Sequence, residues 1–247
     1  MDKLLYIAAS GAKQDLLGAS VRANNLANAQ TTGFKAQLEQ ARAMPAFGEG
    51  LPTRVFSMTE NAVNNFDGGA MIQTGRELDL AIQGDGWFSV QDAQGNEAYS
   101  RNGSFELGPN GELKDSYGNT VIGDFGPVFL PVPLSKINIA NDGTLSVQPQ
   151  GAPETVLEEV GRLKFVNPNV RDMERGTDGL FRLKTGELAE EDALVSIRTG
   201  VLEGSNVNPV EEMVNMINLQ RHYEMQIKMM KQAKELDTRG NQLLRII

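Results

Sequence analysis

Apolar positions near the end of the chain, 208–247, recur at helical spacing. Met216, Leu219, Tyr223, Met230, Ala233, Leu244 and Ile247 fall on one series of alternating three- and four-residue steps, with Gln226, Asp237 and Gly240 filling the remaining places. A seven-residue period of this kind is the seam of a coiled helix. Met213, Ile217 and Ile227 widen it on one side, which predicts more than one neighbour. Asn208 followed by Pro209 is a helix start, because the Asn side chain can accept from an orphan N–H and Pro needs no donor in the first turn. Glu211 and Glu212 then sit at the positive end of the helix dipole. No proline follows, so the helix would run roughly 55–60 Å at 1.5 Å per residue.

The other end carries a matching pattern. Leu5, Ala9, Ala12, Leu16, Ala19, Ala23 and Leu26 step by four and three without a miss. An alanine seam lets helices approach closely but buries little area, at about 25 cal/mol per Å². The two ends are therefore expected to pair with each other and with copies from other chains.

Between them the pattern changes twice. The polar segment from Asn24 and Asn25 through Asn28, Thr31 and Thr32 favours side-chain-to-backbone bonding, and Gly33 can take the positive φ that ends a helix. Residues 36–76 read as an extended or mixed connector, helix-compatible to Arg42, broken by Pro45, Gly48, Gly50 and Pro52, with a short strand over 53–58. From Glu77 the chain alternates: Leu78, Leu80 and Ile82, then Trp87 to Val90 across Asp85-Gly86. Turn signals recur at Gln94-Gly95-Asn96, Asn102-Gly103, Asn110-Gly111, Tyr117-Gly118-Asn119, Asp142-Gly143 and Asp178-Gly179. Strands are expected over 98–100, 104–107, 112–114, 136–139, 161–165, 180–184 and 194–198. The prolines between Asp124 and Pro133 place that stretch at an edge or crossing. The fold class is α + β: an antiparallel all-β domain over 77–202, inserted between an N-terminal helix within 1–35 and a C-terminal helix within 203–247.

Composition narrows the function. A net charge of −9 argues against nucleic acid, whose phosphates need clustered Lys and Arg. There is no cysteine, which excludes disulfides and thiolate metal sites. No apolar run reaches membrane-span length. The short apolar stretch from Leu4 to Ala12 is expected to remain attached as helix, since the heptad continues through any cleavage region. Catalytic material is thin. His222 lies on a helix surface, and Asp79 and Asp85 could act together only as the acids of a secreted glycan hydrolase, the more remote alternative. No cofactor and no metal site is expected.

Three separated motifs resemble the axial proteins of the bacterial flagellum, the rod and hook proteins. They are Ala23-Asn24-Asn25-Leu26-Ala27-Asn28-Ala29 with Thr31-Thr32-Gly33-Phe34-Lys35; Thr74-Gly75-Arg76-Glu77-Leu78-Asp79-Leu80-Ala81-Ile82-Gln83-Gly84-Asp85-Gly86-Trp87-Phe88; and Leu202-Glu203-Gly204-Ser205-Asn206-Val207-Asn208-Pro209 running into Arg221-His222-Tyr223-Glu224-Met225. Length, the opening Met1-Asp2-Lys3-Leu4-Leu5-Tyr6 and the Met-rich stretch 224–231 look most like the proximal-rod type, with a distal rod or other axial protein as the alternative. The resemblance implies a structural subunit with no active site, exported through the flagellar type III apparatus without a cleaved signal. It would stack with other rod proteins and copies of itself in the rod crossing the periplasm, neither binding nucleic acid nor inserting in a membrane. It also implies that the terminal helices form a coiled-coil tube outside which the β domain lies, with termini that order on assembly. Asn24, Asn25 and Asn28 would turn the chain from tube to body, and Gly33 would end the turn.

Overall fold

The structure, a computed structural model, describes residues 2–45, 55–151, 153 and 157–244. They form two compact units.

The helical unit comprises residues 1–29, 36–65 and 207–247. Helix α1 spans Asp2–Ala27 and helix α2 spans Pro209–Leu244. Asn208 caps α2 as its sequence position demands: Oδ1 accepts from the N–H groups of Val210 at 3.2 Å and Glu211 at 3.4 Å. The helices run antiparallel in close register. A Cβ on Gly11 would meet Gln226, one on Gly18 would touch Leu219, and Asn25 bonds Glu212, so each step up α1 is matched by a step down α2.

The connector departs from expectation. The stretch to Arg42 is not helical but lies in strand β1 (Gln37–Pro45), and the short strand expected over 53–58 falls, from Val55 on, in a longer strand, β2 (Val55–Asn64); the two pair antiparallel from Gln37↔Asn64 to Pro45↔Val55. Gln37 to Ala43 is rich in residues of good helix propensity, but strand pairing overrides that weak preference. Both strands belong to the helical unit. The Pro and Gly breaks at 48–52 lie outside the described residues.

The β body comprises residues 30–35 and 66–206 and is antiparallel in every pairing. Trp87–Gln91 pairs on one side with Glu97–Ser100 and on the other with Thr120–Gly123. The sheet continues outward to Phe105–Leu107 at one end and Met173–Arg175 at the other. Leu134–Ile139, Thr144–Pro149 and Glu158–Arg162 form a separate three-stranded sheet. Gly126–Pro127 pairs only with Thr120–Gly123, the side position its neighbouring prolines require. Residues 161–165 are not one strand: Glu158–Arg162 ends there, and Phe165–Val166 joins the larger sheet opposite Phe88 and Trp87.

Two hairpin turns share one chemistry. In Asp92-Ala93-Gln94-Gly95-Asn96 and Asp115-Ser116-Tyr117-Gly118-Asn119 the Asp Oδ1 accepts from the N–H groups two and four residues on, and the glycine sits at φ +89° in each. The core gathers Leu80, Ile82, Phe88, Phe105, Leu113, Leu145, Leu163, Phe165 and Ile197, all essentially sealed from solvent. A second cluster packs Trp87 against Phe181, ring centroids 4.7 Å apart, with Phe66 edge-on to Trp87.

Candidate assembly surface

The expected seam positions divide by exposure. Ala12 and Ala233 are buried, whereas Leu5, Ala19, Leu26, Met216, Leu219, Tyr223 and Met230 are half-buried. Ala9, Leu16 and Ala23 are exposed, and the Leu244 side chain and Ile247 lie outside the described residues. Ala12 apart, the face of α1 that the single chain buries is one residue offset from the expected series: Ala8, Gly18 and Asn25 are buried, and Gly11, Asp15 and Arg22 are half-buried.

The pairing leaves further apolar side chains uncovered. On α2, Val210, Met213, Val214, Ile217, Met225, Met229 and Leu236 are each 44–68% exposed, and on α1 Leu16 and Leu17 are 55% and 42% exposed. The α2 residues recur largely at three- and four-residue steps, so they form a stripe along the helix. Met213 and Ile217 were visible as a widening of the heptad; Val210, Val214 and Leu236 follow the same spacing and were missed.

The motif residues fix the geometry of this unit. Asn25, fully buried, donates from Nδ2 to the Gln37 carbonyl at 2.8 Å and to Glu212 Oε1 at 3.0 Å, while its Oδ1 accepts from the Gln37 N–H at 2.9 Å. Arg22 donates to both Glu212 oxygens, at 3.2 and 3.1 Å. One amide thus ties the end of α1 to the start of β1 and the first turn of α2. Asn28 closes the helix end locally, donating to the Asn24 carbonyl at 2.9 Å. Helix α1 runs through Asn24 and Asn25 and ends at Ala27, so those two act from within the helix. Leu26 and Ala27 complete its last turn.

The second half of the same motif belongs to the β body. Gly33, at φ +68°, donates its N–H to the Glu203 carbonyl at 2.7 Å, and a Cβ there would lie 2.3 Å from the Arg101 carbonyl carbon. Thr32 donates to Asn102 Oδ1 at 2.7 Å, and the Arg175 guanidinium stacks 4.4 Å over the Phe34 ring. Lys35 is buried and donates to Glu203 Oε1 at 2.7 Å and to the Asp67 carbonyl at 2.8 Å. Glu203 Oε2 accepts from Arg101 at 3.1 Å, and the Gly69 N–H reaches Oε1 at 3.0 Å. Burial pushes the Lys35 ammonium below its usual range, against the opposing pull of Glu203. Asn206 donates to the Asp67 carbonyl at 3.0 Å, Ser205 is half-buried, and Val207 is buried. Sequence reading quoted Lys35 and Glu203 as motif letters but could not pair them across 168 residues.

The acids of the catalytic alternative sit in different settings. Asp79 is buried and ion-paired to Arg76 at 2.8 Å, and Asp85 is exposed. Among the described residues no three His, Cys, Asp or Glu side chains converge as a metal site, and no helix is long and apolar enough to cross a membrane.

Two long helices carry an exposed apolar stripe, and in the β body the Lys35–Glu203–Arg101 cluster joins distant segments of the chain. Three family models match in chain order: the flagella basal body rod protein over 5–35, the flagellar hook protein FlgE/F/G D1 domain over 81–147, and the flagellar basal body rod FlgEFG protein C-terminal over 198–243. The flagellar basal-body rod protein FlgF of Salmonella typhimurium is 44% identical over 99% of both chains. FlgF of Caulobacter vibrioides is 36% identical over 96% of this chain and 95% of its own. The rod protein FlgG of Buchnera aphidicola subsp. Acyrthosiphon pisum is 31% identical over 97% of this chain and 98% of its own. The chain belongs to the flagellar basal-body rod protein family. It is a structural subunit of the rod, most consistent with the proximal rod protein of FlgF type.

Proposed function

We propose that this subunit is built into the rod through the exposed faces of α1 and α2, packing against copies of itself and other rod proteins. The rod of which it forms part crosses the periplasm and links motor to hook, and the subunit reaches it through the flagellar type III apparatus without a cleaved signal. The supporting observation is the stripe Val210, Val214, Ile217, Met225, Met229 and Leu236, exposed along one helix. An apolar stripe of this length needs covering, and neighbouring helices of the same kind are its natural complement. Of the expected seam residues, Ala9, Leu16 and Ala23 are exposed and contribute to this surface, and the half-buried Leu5, Ala19, Leu26, Met216, Leu219, Tyr223 and Met230 border it. Asn24, Asn25, Asn28, Gly33 and Asn208 shape the two ends of the chain that carry it.

The test is Leu16→Asp and Ile217→Asp, at exposed sites where the fold of one chain should persist. The reading expects folded protein that fails to enter basal bodies and a loss of motility. Normal incorporation of both would sink it.

A further inference from the structure

One edge of the β body turns an uncharged, apolar strip to solvent. Between Asp124 and Lys136 no charged residue occurs. The backbone there is held down: the Val128 N–H donates to the Val121 carbonyl at 2.9 Å, the Leu130 N–H donates to the Gly111 carbonyl at 2.7 Å, and both side chains are buried. Alternation then turns Phe125, Pro127, Phe129, Pro131 and Pro133 outward, all exposed, with Phe125 96% and Phe129 53% uncovered. Beside them a groove of about 180 Å³ opens over Val128, Leu145 and Val160, room for one side chain.

In the rest of the β body Asp and Glu outnumber Lys and Arg nearly two to one. Two such bodies repel each other. The uncharged strip is where one can meet another without setting acid against acid, whereas a basic partner would be drawn to the surrounding acids. Prolines lose no side-chain freedom on burial, and aromatic rings carry large apolar area. We propose that the strip from Phe125 to Pro133 is a docking surface of the β body for a second copy of this chain. The contact is made by the β body alone, and it rests on the assembly reading above. Two phenylalanines at roughly 150–250 Å² each fall short of the roughly 800 Å² per partner of a stable interface. The strip therefore holds copies that the rod has already brought together and does not pair free chains.

The experiment places the photoreactive analogue p-benzoylphenylalanine at position 125 of the full chain and irradiates isolated basal bodies that contain it. The expected product joins two peptides of this chain, identified by mass spectrometry. A product with another rod protein, or no product, overturns the proposal. In parallel, Phe125→Ser should leave the melting temperature of the purified chain unchanged, because that side chain is almost wholly in solvent. Basal bodies carrying the variant should release this subunit at a lower urea concentration than those carrying the parent, and equal resistance overturns the proposal as well. Absence of the parent chain from basal bodies would overturn the assembly reading itself, whereas its presence without the copy-to-copy product overturns this inference alone.

Discussion

Asn25 and Glu212 stand 187 residues apart, yet the Asn25 amide donates to the Glu212 carboxylate at 3.0 Å inside the helical unit. The amide's orientation is dictated by its partners, because both Nδ2 protons meet acceptors and Oδ1 meets the Gln37 N–H. Asn25→Asp would place an acceptor against a carbonyl and a carboxylate. Asn25→Ala should cost about 1–3 kcal/mol, the penalty for leaving buried partners unmet. Asn25→Asp should cost more, although the side chain keeps its size. Urea unfolding of the three proteins checks the order, and equal stability of the Asp variant and the parent would refute it.

In the β body, Glu203 balances two buried cations, Lys35 and Arg101. Glu203→Ala leaves both without their anion and should destabilise by roughly 3–5 kcal/mol. Lys35→Met removes one cation, still leaves Arg101 paired, and relieves a burial cost, so it should be markedly milder. Denaturant melts of the two variants decide the point.

Two glycines should respond in opposite ways to alanine. At Gly33 the left-handed backbone alone costs roughly 1–2 kcal/mol, and the new Cβ would press on the Arg101–Asn102 peptide at 2.3–2.5 Å. At Gly240 the added methyl meets open space within α2, and helix propensity favours alanine by about 1 kcal/mol. Gly33→Ala should therefore lower the melting temperature of the β body, and Gly240→Ala should raise helix protection near the end of α2.

Acid should loosen the β body through Arg182. Its guanidinium bonds Asp92 at 2.7 Å and Asp178 at 2.6 Å. Burial would raise the Asp92 carboxyl, but the Asn96 and Gln94 N–H groups and Arg182 outweigh it and hold it below the usual range. Asp178 is held low chiefly by Arg182. Carboxylates with depressed folded values lend stability above their unfolded value, about 3.9, and lose it as pH falls through the folded one. Arg182→Met should be less stable than the parent at neutral pH, with the difference closing in acid. A pH-independent gap in melting temperature would contradict this.

Much of this was legible before the fold was known. Asn208-Pro209 announced α2, the Gly-Asn turns announced the antiparallel body, and the heptad announced a helix pair. What escaped has physical reasons. Ala8, Ala9 and Ala12 are interchangeable in a small-residue seam, so periodicity could not say that Ala8 turns inward and Ala9 outward. Strand β1 is written largely in Gln, Glu, Leu and Ala, whose local preference is helical, and only pairing with β2 along Gln37↔Asn64 to Pro45↔Val55 makes it a strand. The Lys35–Glu203–Arg101 cluster joins distant segments through charge, which leaves no periodic trace.

Because the chain has no cysteine of its own, a single Ile217→Cys substitution supplies a clean probe of the central claim, that the exposed α2 stripe is covered by other subunits in the rod. The measurement is maleimide labelling of that thiol in the purified protein and in isolated basal bodies carrying the variant. Rapid labelling of the free chain and strong protection in the assembled rod is the predicted result. Equal labelling in both, with the variant incorporated and cells motile, would contradict it.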